Sequence, residues 1–194
     1  HLLTTVRTPS IEIAQQLFKY PGVDLLVVTG GEAVVEAARS NTNKRLMAAG
    51  AGNPPVVVAE TADLAKAGRD IVFGASFDNN IICADEKEII AVDSIADQLK
   101  AEMKKHKAVE ITPAQAEKLA TVILDGYPAP NPTVSRSWVG RNAALFAKEI
   151  GLNVAEDTRL IFVETDKNHP FATIELMMPV IPLIRAKDAN QAID

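Results

Sequence analysis

Asp24-Leu25-Leu26-Val27-Val28-Thr29-Gly30-Gly31-Glu32 decides the reading of the fold. Asp24 to Val28 is a short, continuous apolar run of strand length, the pattern of a strand covered on both faces. Thr29-Gly30-Gly31 then turns the chain into a helix from Glu32 to Arg39. Strand, tight glycine turn and helix in succession leave free backbone N–H groups at a helix N-terminus beside a sheet edge, where phosphate or pyrophosphate is favoured. A Gly-Gly pair between strand and helix is also simply a turn, and these residues alone leave both readings open.

The same alternation continues outward. Upstream, Thr8-Pro9 reads as an N-cap with proline at the first helical position, and Ile11, Ala14, Leu17 and Phe18 share one face of the helix that follows. Downstream, Lys44–Ala49 reads as a strand, Gly50 to Pro55 as a stiff joint, and Val56-Val57-Val58 as a buried strand. Thr61 is placed to cap a helix from Ala62 to about Ser76. Asp78-Asn79-Asn80 reads as a loop leading to a strand over Glu88–Val92. Ser94 is expected to cap a helix with Ile95, Leu99 and Met103 inward and Lys100, Lys104 and Lys105 facing solvent. Thr112-Pro113-Ala114-Gln115 is a capping box with proline at the first position. Gly126 to Thr133, with three prolines, reads as a rigid extended connector. A helix over Asn142–Ile150, stopped by Gly151, and strands at Leu160–Val163 and Val180–Ile184 complete the pattern. Alternating strands and helices without a repeat predict an α/β fold with a mainly parallel sheet flanked by helices.

Composition narrows the function. With 194 residues, 47% of them hydrophobic, the chain has enough apolar surface for a substantial core. The net charge of −5 and scattered Lys and Arg provide no basic face for phosphates, which argues against nucleic acid as a partner. No apolar run reaches the roughly 18 to 20 residues that span a bilayer, and the run from Ile174 to Ile184 is interrupted by Pro179 and Pro182. One cysteine and no signal peptide point to a reducing, cytoplasmic setting. The chain opens on His1 and ends within what reads as the start of a helix after Ala186, so a fragment, truncated at both ends, is expected.

The lone cysteine lies in Ser76-Phe77-Asp78-Asn79-Asn80-Ile81-Ile82-Cys83-Ala84-Asp85-Glu86. Between Ile82 and Ala84 a thiol reads first as a small buried hydrophobe, and second, because it sits in a loop between helix and strand, as a chemical group. His169 precedes proline in a polar loop and reads as structural; His106 reads as solvated. With no Cys/His cluster, no metal site is expected.

That segment, together with Val28 to Glu32, Gly50 to Pro55, His169-Pro170-Phe171 and Glu175-Leu176-Met177-Met178-Pro179-Val180, closely resembles the CoA-acylating aldehyde dehydrogenases of ethanolamine and propanediol utilisation. The likeness keeps order and approximate spacing over essentially the whole chain. It implies an aldehyde dehydrogenase-like catalytic domain over residues 46–194, incomplete at its C-terminus, with residues 1–45 the tail of a dinucleotide-binding domain. Under it Cys83 matches the nucleophile, Thr29, Gly30 and Gly31 match the loop beside the cofactor, and Glu175 matches the glutamate that accepts the nicotinamide ribose hydroxyls. The implied reaction joins a short aliphatic aldehyde, acetaldehyde or propionaldehyde, with NAD and coenzyme A to give acyl-CoA and NADH, through a cysteine thiohemiacetal and thioester. The family's side-chain amide for the oxyanion comes from further upstream, so that role does not pass to Asn79 or Asn80.

In the hydrolytic relatives a glutamate in a Glu-Leu-Gly-Gly-like segment activates water; the matching stretch here is Met47-Ala48-Ala49-Gly50, with no carboxylate and Ala48 at the base position. A thiol such as coenzyme A, with a pKa of about 8.5, needs less help than water at about 15.7. One departure from the family pattern is Ala59 in place of an aspartate after Val58. The resemblance also implies a homo-oligomer and association with a bacterial microcompartment. An acyl-phosphate reductase of the same superfamily and an inactive α/β module remain the competing readings.

Overall fold

The computed structural model describes residues 3–194. The chain divides into two compact units, one ending at Ala51 and one running from Gly52 to Asp194.

The first unit contains α1 (Ile11–Lys19), β1 (Leu25–Thr29), α2 (Glu32–Ser40) and β2 (Arg45–Ala49), with β1 and β2 paired in parallel from Leu25↔Arg45 to Thr29↔Ala49. Ser10, not Thr8, caps α1: its side chain accepts the Ile13 N–H. Pro9 is thus left outside the helix. β2 pairs with β1, so Met47, Ala48 and Ala49 lie in this first unit.

The second unit is built on β3 (Pro55–Val58), α3 (Leu64–Ala75), a 3-10 turn (Phe77–Asn80), β4 (Glu88–Val92), α4 (Asp93–Lys105) and β5 (Ala108–Glu110). It continues through α5 (Pro113–Ile123), β6 (Leu124–Asp125), β7 (Thr133–Val134), α6 (Ala143–Glu149), β8 (Leu160–Glu164), α7 (Pro170–Thr173), β9 (Val180–Ala186) and α8 (Ala189–Ile193). Five strands form one sheet in the order β3-β4-β9-β8-β5, every pairing parallel.

The sheet is covered on both faces, and β8 shows why its strands read as unbroken apolar runs. Leu160 and Phe162 join the core formed with α3 and α4, through Ile71, Val72, Leu99 and Met103. Ile161 and Val163, pointing the other way, join the core formed with α5 and α6, through Leu119, Ile123, Phe146 and Ala147. Successive residues alternate faces, and each fully buried Leu, Ile or Phe contributes about 1.5–3 kcal/mol, so neither face tolerates a polar residue.

Several local expectations change. Asp63, whose side chain accepts the Lys66 N–H, caps α3 in place of Thr61. β4 runs directly into α4, leaving Val92 at the cap position without a side-chain bond and Ser94 inside the helix. Lys100 does not face solvent: its side chain is 14% exposed and pairs with Glu110 and Glu164. The proline-rich stretch is a hairpin connection between antiparallel β6 and β7, and it contains a cis Tyr127–Pro128 bond. The Thr112 capping box forms with both reciprocal bonds.

Candidate active site

Cys83 is exposed, so the buried-hydrophobe reading fails. It sits just after the first corner of a turn closed by the Asp85 N–H on Ile82 O at 3.1 Å. The path to that turn is set by three consecutive residues in the left-handed region, Asp78, Asn79 and Asn80, with φ of 44°, 53° and 63°. Asn and Asp occupy that region at lower cost than other L-residues because their short side chains bond locally. Here the bonds are explicit. Asn79 Nδ2 donates to Gly140 O at 3.0 Å and Asn142 Oδ1 at 2.9 Å. Asn80 Nδ2 donates to Ala75 O at 2.9 Å and Glu86 O at 3.0 Å. An amide nitrogen has two donors, and both are committed in each residue, so neither Asn79 nor Asn80 has one left for an oxyanion.

Beside this turn runs the joint from Gly52. A side chain at Gly52 would come within 3.4 Å of Cys83 O, and the Gly52 N–H donates to Glu175 Oε2 at 3.3 Å. The Lys87 N–H donates to Pro54 O at 2.9 Å, and Asn53 Nδ2 reaches both Ala172 O, at 3.0 Å, and Glu88 Oε1. Gly52 therefore brings Cys83 and Glu175 to one place, although 92 positions separate them in the chain (175 − 83). Glu175 is half-buried, which leaves its carboxylate open to hydroxyl donors.

Thr29, Gly30 and Gly31 lie in the first unit. Thr29 ends β1, and Gly31 caps α2 without a side-chain bond while its carbonyl accepts Val34 and Val35 N–H. Its φ of −62° needs no glycine, and a side chain there would meet nothing within 4 Å.

Charged groups lie buried or half-buried in and beside the thiol's loop. Lys87 is 3% exposed, with Nζ on Asn80 O at 2.6 Å and Asn80 Oδ1 at 2.7 Å. Burial pulls its ammonium below the ordinary lysine value, against the opposing pull of Glu175, Asp85 and Cys83. Asp85 is buried, and that burial pushes its carboxyl up while Lys87 holds it down. Glu88 is likewise pushed up by burial, moderated by Asn53. His169 caps α7 by accepting the Phe171 N–H on Nδ1 at 3.1 Å and stacks edge-on against Phe171, the structural role its position suggested. Among the described residues there is no group of three or more His, Cys, Asp or Glu that could hold a metal ion, and no helix is long and apolar enough to cross a membrane.

An exposed thiol on a braced turn, with a carboxylate beside it, at the side of a doubly covered parallel sheet defines a thiol-bearing α/β domain. Residues 1–123 match the model of the aldehyde dehydrogenase family, and the chain belongs to that family. It is 62% identical over 194 residues to the acetaldehyde dehydrogenase (acetylating) EutE of Salmonella typhimurium, covering 100% of this chain and 42% of that protein. It is 36% identical, also over its whole length, to the propanal dehydrogenase (CoA-propanoylating) of the same organism, covering 40% of it. Among solved structures, the propionaldehyde dehydrogenase of Rhodopseudomonas palustris with bound propionyl-CoA superposes with a TM-score of 0.90 at 44% identity, over 100% of this chain and 42% of that one. That enzyme is also known with CoA bound and a cysteine acylated. The chain thus spans about 42% of the length of the first of these curated relatives.

Proposed function

We propose that the protein carrying this chain is an acylating aldehyde dehydrogenase, which converts a short aliphatic aldehyde and coenzyme A to an acyl-CoA. The observation that carries the reading is Cys83, exposed on a turn braced from both sides and adjacent, through Gly52, to Glu175. Its thiolate adds to the aldehyde carbonyl carbon, forming a C–S bond and an alkoxide. The backbone N–H at Cys83 helps hold that oxygen. NAD, when bound, supplies the acceptor for the two electrons and hydrogen that leave the carbon as the thioester forms. Glu175 accepts the ribose hydroxyls, and Thr29, Gly30 and Gly31 line the cofactor's loop. The CoA thiolate then attacks the thioester carbonyl, forming acyl-CoA and returning Cys83 as thiolate.

Release by a thiol and not by water follows from the missing base: Met47, Ala48, Ala49 and Gly50 carry no carboxylate to activate water. The likeness to acetylating and CoA-propanoylating enzymes supports acetaldehyde or propionaldehyde as substrate. It also supports reading residues 1–45 as the tail of a dinucleotide-binding domain and residues 46–194 as the catalytic domain, residues 46–51 of which fall in the first compact unit. A propionaldehyde dehydrogenase relative belongs to the Clostridium phytofermentans fucose utilisation bacterial microcompartment, which supports a cytoplasmic or microcompartment setting for this protein.

In the intact protein, Cys83→Ala is expected to lower CoA-dependent NADH formation by about three orders of magnitude or more, with the melting temperature nearly unchanged. Wild-type turnover in that variant would sink the assignment. Rapid turnover of the wild type without CoA would sink the missing-base argument, and indifference to CoA with activity on an acyl phosphate would favour the competing reductase.

A further inference from the structure

The joint Gly52-Asn53-Pro54 touches both halves of the candidate site with consecutive residues. The Gly52 N–H donates to Glu175 Oε2 at 3.3 Å, and Pro54 O accepts the Lys87 N–H at 2.9 Å, just past the thiol's turn. Between them, Asn53 Nδ2 donates to Ala172 O at 3.0 Å and to Glu88 Oε1. Both protons of the amide are therefore used. Asn53 Oδ1, by contrast, is buried without a hydrogen-bond partner among the described residues. Turning the amide over would set that oxygen against Ala172 O and the Glu88 carboxylate, so the two acceptors fix its orientation. The side chain is held for its donors.

What those donors hold is the approach to Glu175. α7 is a single turn, Pro170–Thr173, with His169 capping its start. That is far below the roughly 12–15 residues at which a helix begins to stand alone, so its position is set by what binds its ends. The last carbonyls of a helix have no partner inside it, and among the described residues the hydrogen-bond donor to Ala172 O is Asn53. Ala172 is buried, which leaves water little access to take that place. Glu175 comes three positions later in the chain (175 − 172). Among the described residues its carboxylate accepts one hydrogen bond, from Gly52 at 3.3 Å, longer than the usual N–H···O distance of about 2.9–3.0 Å. So weak a bond leaves the carboxylate where the main chain puts it. We propose that Asn53 is a positioning residue for Glu175: its amide caps the C-terminal end of α7 from the joint that also braces the thiol's loop, and so fixes the carboxylate relative to Cys83. Glu88, at the head of β4 and in register with Pro55 of β3, anchors the other proton of that amide to the sheet.

The proposal rests on Glu175 as the carboxylate that accepts the ribose hydroxyls, and one of its readouts is independent of that reading. In the intact protein, Asn53→Ala removes both donors and leaves the main-chain bonds of Gly52 and Pro54 in place. Hydrogen exchange, followed by mass spectrometry on the peptide covering residues 171–176, is expected to quicken there by about tenfold. Iodoacetamide addition to Cys83 should keep its wild-type rate, because the Lys87 N–H still reaches Pro54 O. NADH formation in the first turnover with acetaldehyde should slow by about three- to tenfold, and deuterium at the aldehyde carbon should slow it further, since a misplaced cofactor makes hydride transfer limiting. Adding Glu175→Gln to Asn53→Ala should lower the rate little beyond Glu175→Gln alone, because the amide acts through that carboxylate. If Asn53→Ala does not fold, Asn53→Ser, which keeps one donor, takes its place with the same expected directions. Unchanged exchange over residues 171–176 overturns the proposal, and so does a loss in the double variant equal to the product of the two single losses. Alkylation of Cys83 slowed as much as turnover also overturns it, because the joint would then be failing as a whole. Faster exchange, with a first turnover that neither Asn53→Ala nor Glu175→Gln slows, would sink the reading of Glu175 as the cofactor's carboxylate and leave Asn53's hold on α7 standing.

Discussion

Gly140 also holds the Cys83 loop, through Asn79 and Ile81. Its φ of +68° lies where an L side chain is strained, and a Cβ there would fall 2.9 Å from Ile81 Cγ1 and closer still to Cδ1. Its carbonyl accepts Asn79 Nδ2, and its N–H donates to Met177 O, two residues beyond Glu175. One glycine thereby couples the approach to Cys83 with the approach to Glu175. Gly140→Ala adds backbone strain of about 1–2 kcal/mol and pushes on Ile81, so the melting temperature should fall and kcat drop several-fold. Gly126→Ala is the control: it has φ of +87° but nothing within 4 Å, so it should show the strain in its melting temperature without the loss of rate. Equal kcat in the two variants would refute the coupling. The thiol stood out in the sequence because it is alone, yet its exposure did not, since Ile82 and Ala84 are apolar. Lys87 was invisible for the opposite reason: within Asp85-Glu86-Lys87-Glu88 a lysine reads as solvated, and only contacts with Pro54 and Asn80 bury it.

Among the elements, those whose causes are local were legible and those that depend on a neighbour were not. β4 occupies Glu88–Val92 as expected, and the Thr112 box caps α5, because apolar runs and caps are written in adjacent residues. β5, β6 and β7 are three, two and two residues long, too short to carry a period. They exist because β8 lies beside β5 and because the proline-rich segment folds β7 back onto β6. The packing of α3 on α4 was equally unreadable. Gly68 is buried at their crossing, where a Cβ would lie 2.6 Å from Glu102 Cβ and 3.0 Å from the backbone of Glu102 and Met103. Alanine in a helix gains about 1 kcal/mol over glycine, but here its neighbours are a Cβ and backbone atoms that cannot rotate away. Overpacking costs about 1–3 kcal/mol, so Gly68→Ala should be destabilised by roughly 1 kcal/mol net. Urea unfolding would measure it, and a stabilised variant would show that the helices move apart freely.

At the scale of the whole second unit, charge ties together the C-terminal ends of β5, β8 and β9. Arg185 of β9 binds Glu164 of β8 through Nε at 2.7 Å and reaches Asp93 and Asp97 of α4 at 3.0 and 2.6 Å. Lys100 binds Glu110 of β5 at 2.9 Å and Glu164 at 3.1 Å. The Arg185 bond, helped by Lys100, holds the Glu164 carboxyl below the usual range despite partial burial. Burial pushes Glu110 up, but bonds from Lys104 and Lys100 together outweigh it and leave that carboxyl low as well. Both groups are easier to protonate in the unfolded chain, so the stability they contribute is present above the ordinary glutamate value of 4.5 and is lost as the pH falls through their lowered values. His169 acts earlier in the same direction. Burial holds its imidazole below 6.5, against the weaker upward pull of Glu117. The unfolded chain therefore takes up that proton first, and stability begins to fall below about pH 6.5, by at most about 1.4 kcal/mol per pH unit, until His169 protonates in the fold. His169→Asn should keep the α7 cap, because an amide oxygen can accept the Phe171 N–H in place of Nδ1. It should remove the upper step and leave the lower one, below pH 4.5, intact. Urea unfolding at pH 7.5, 5.5 and 4 follows both steps: wild type should lose more stability than His169→Asn between the first two values, and both should lose stability to the carboxylates below pH 4.5. Parallel losses over the upper interval would mean that His169 is already charged in the folded protein and that burial at α7 does not hold it neutral.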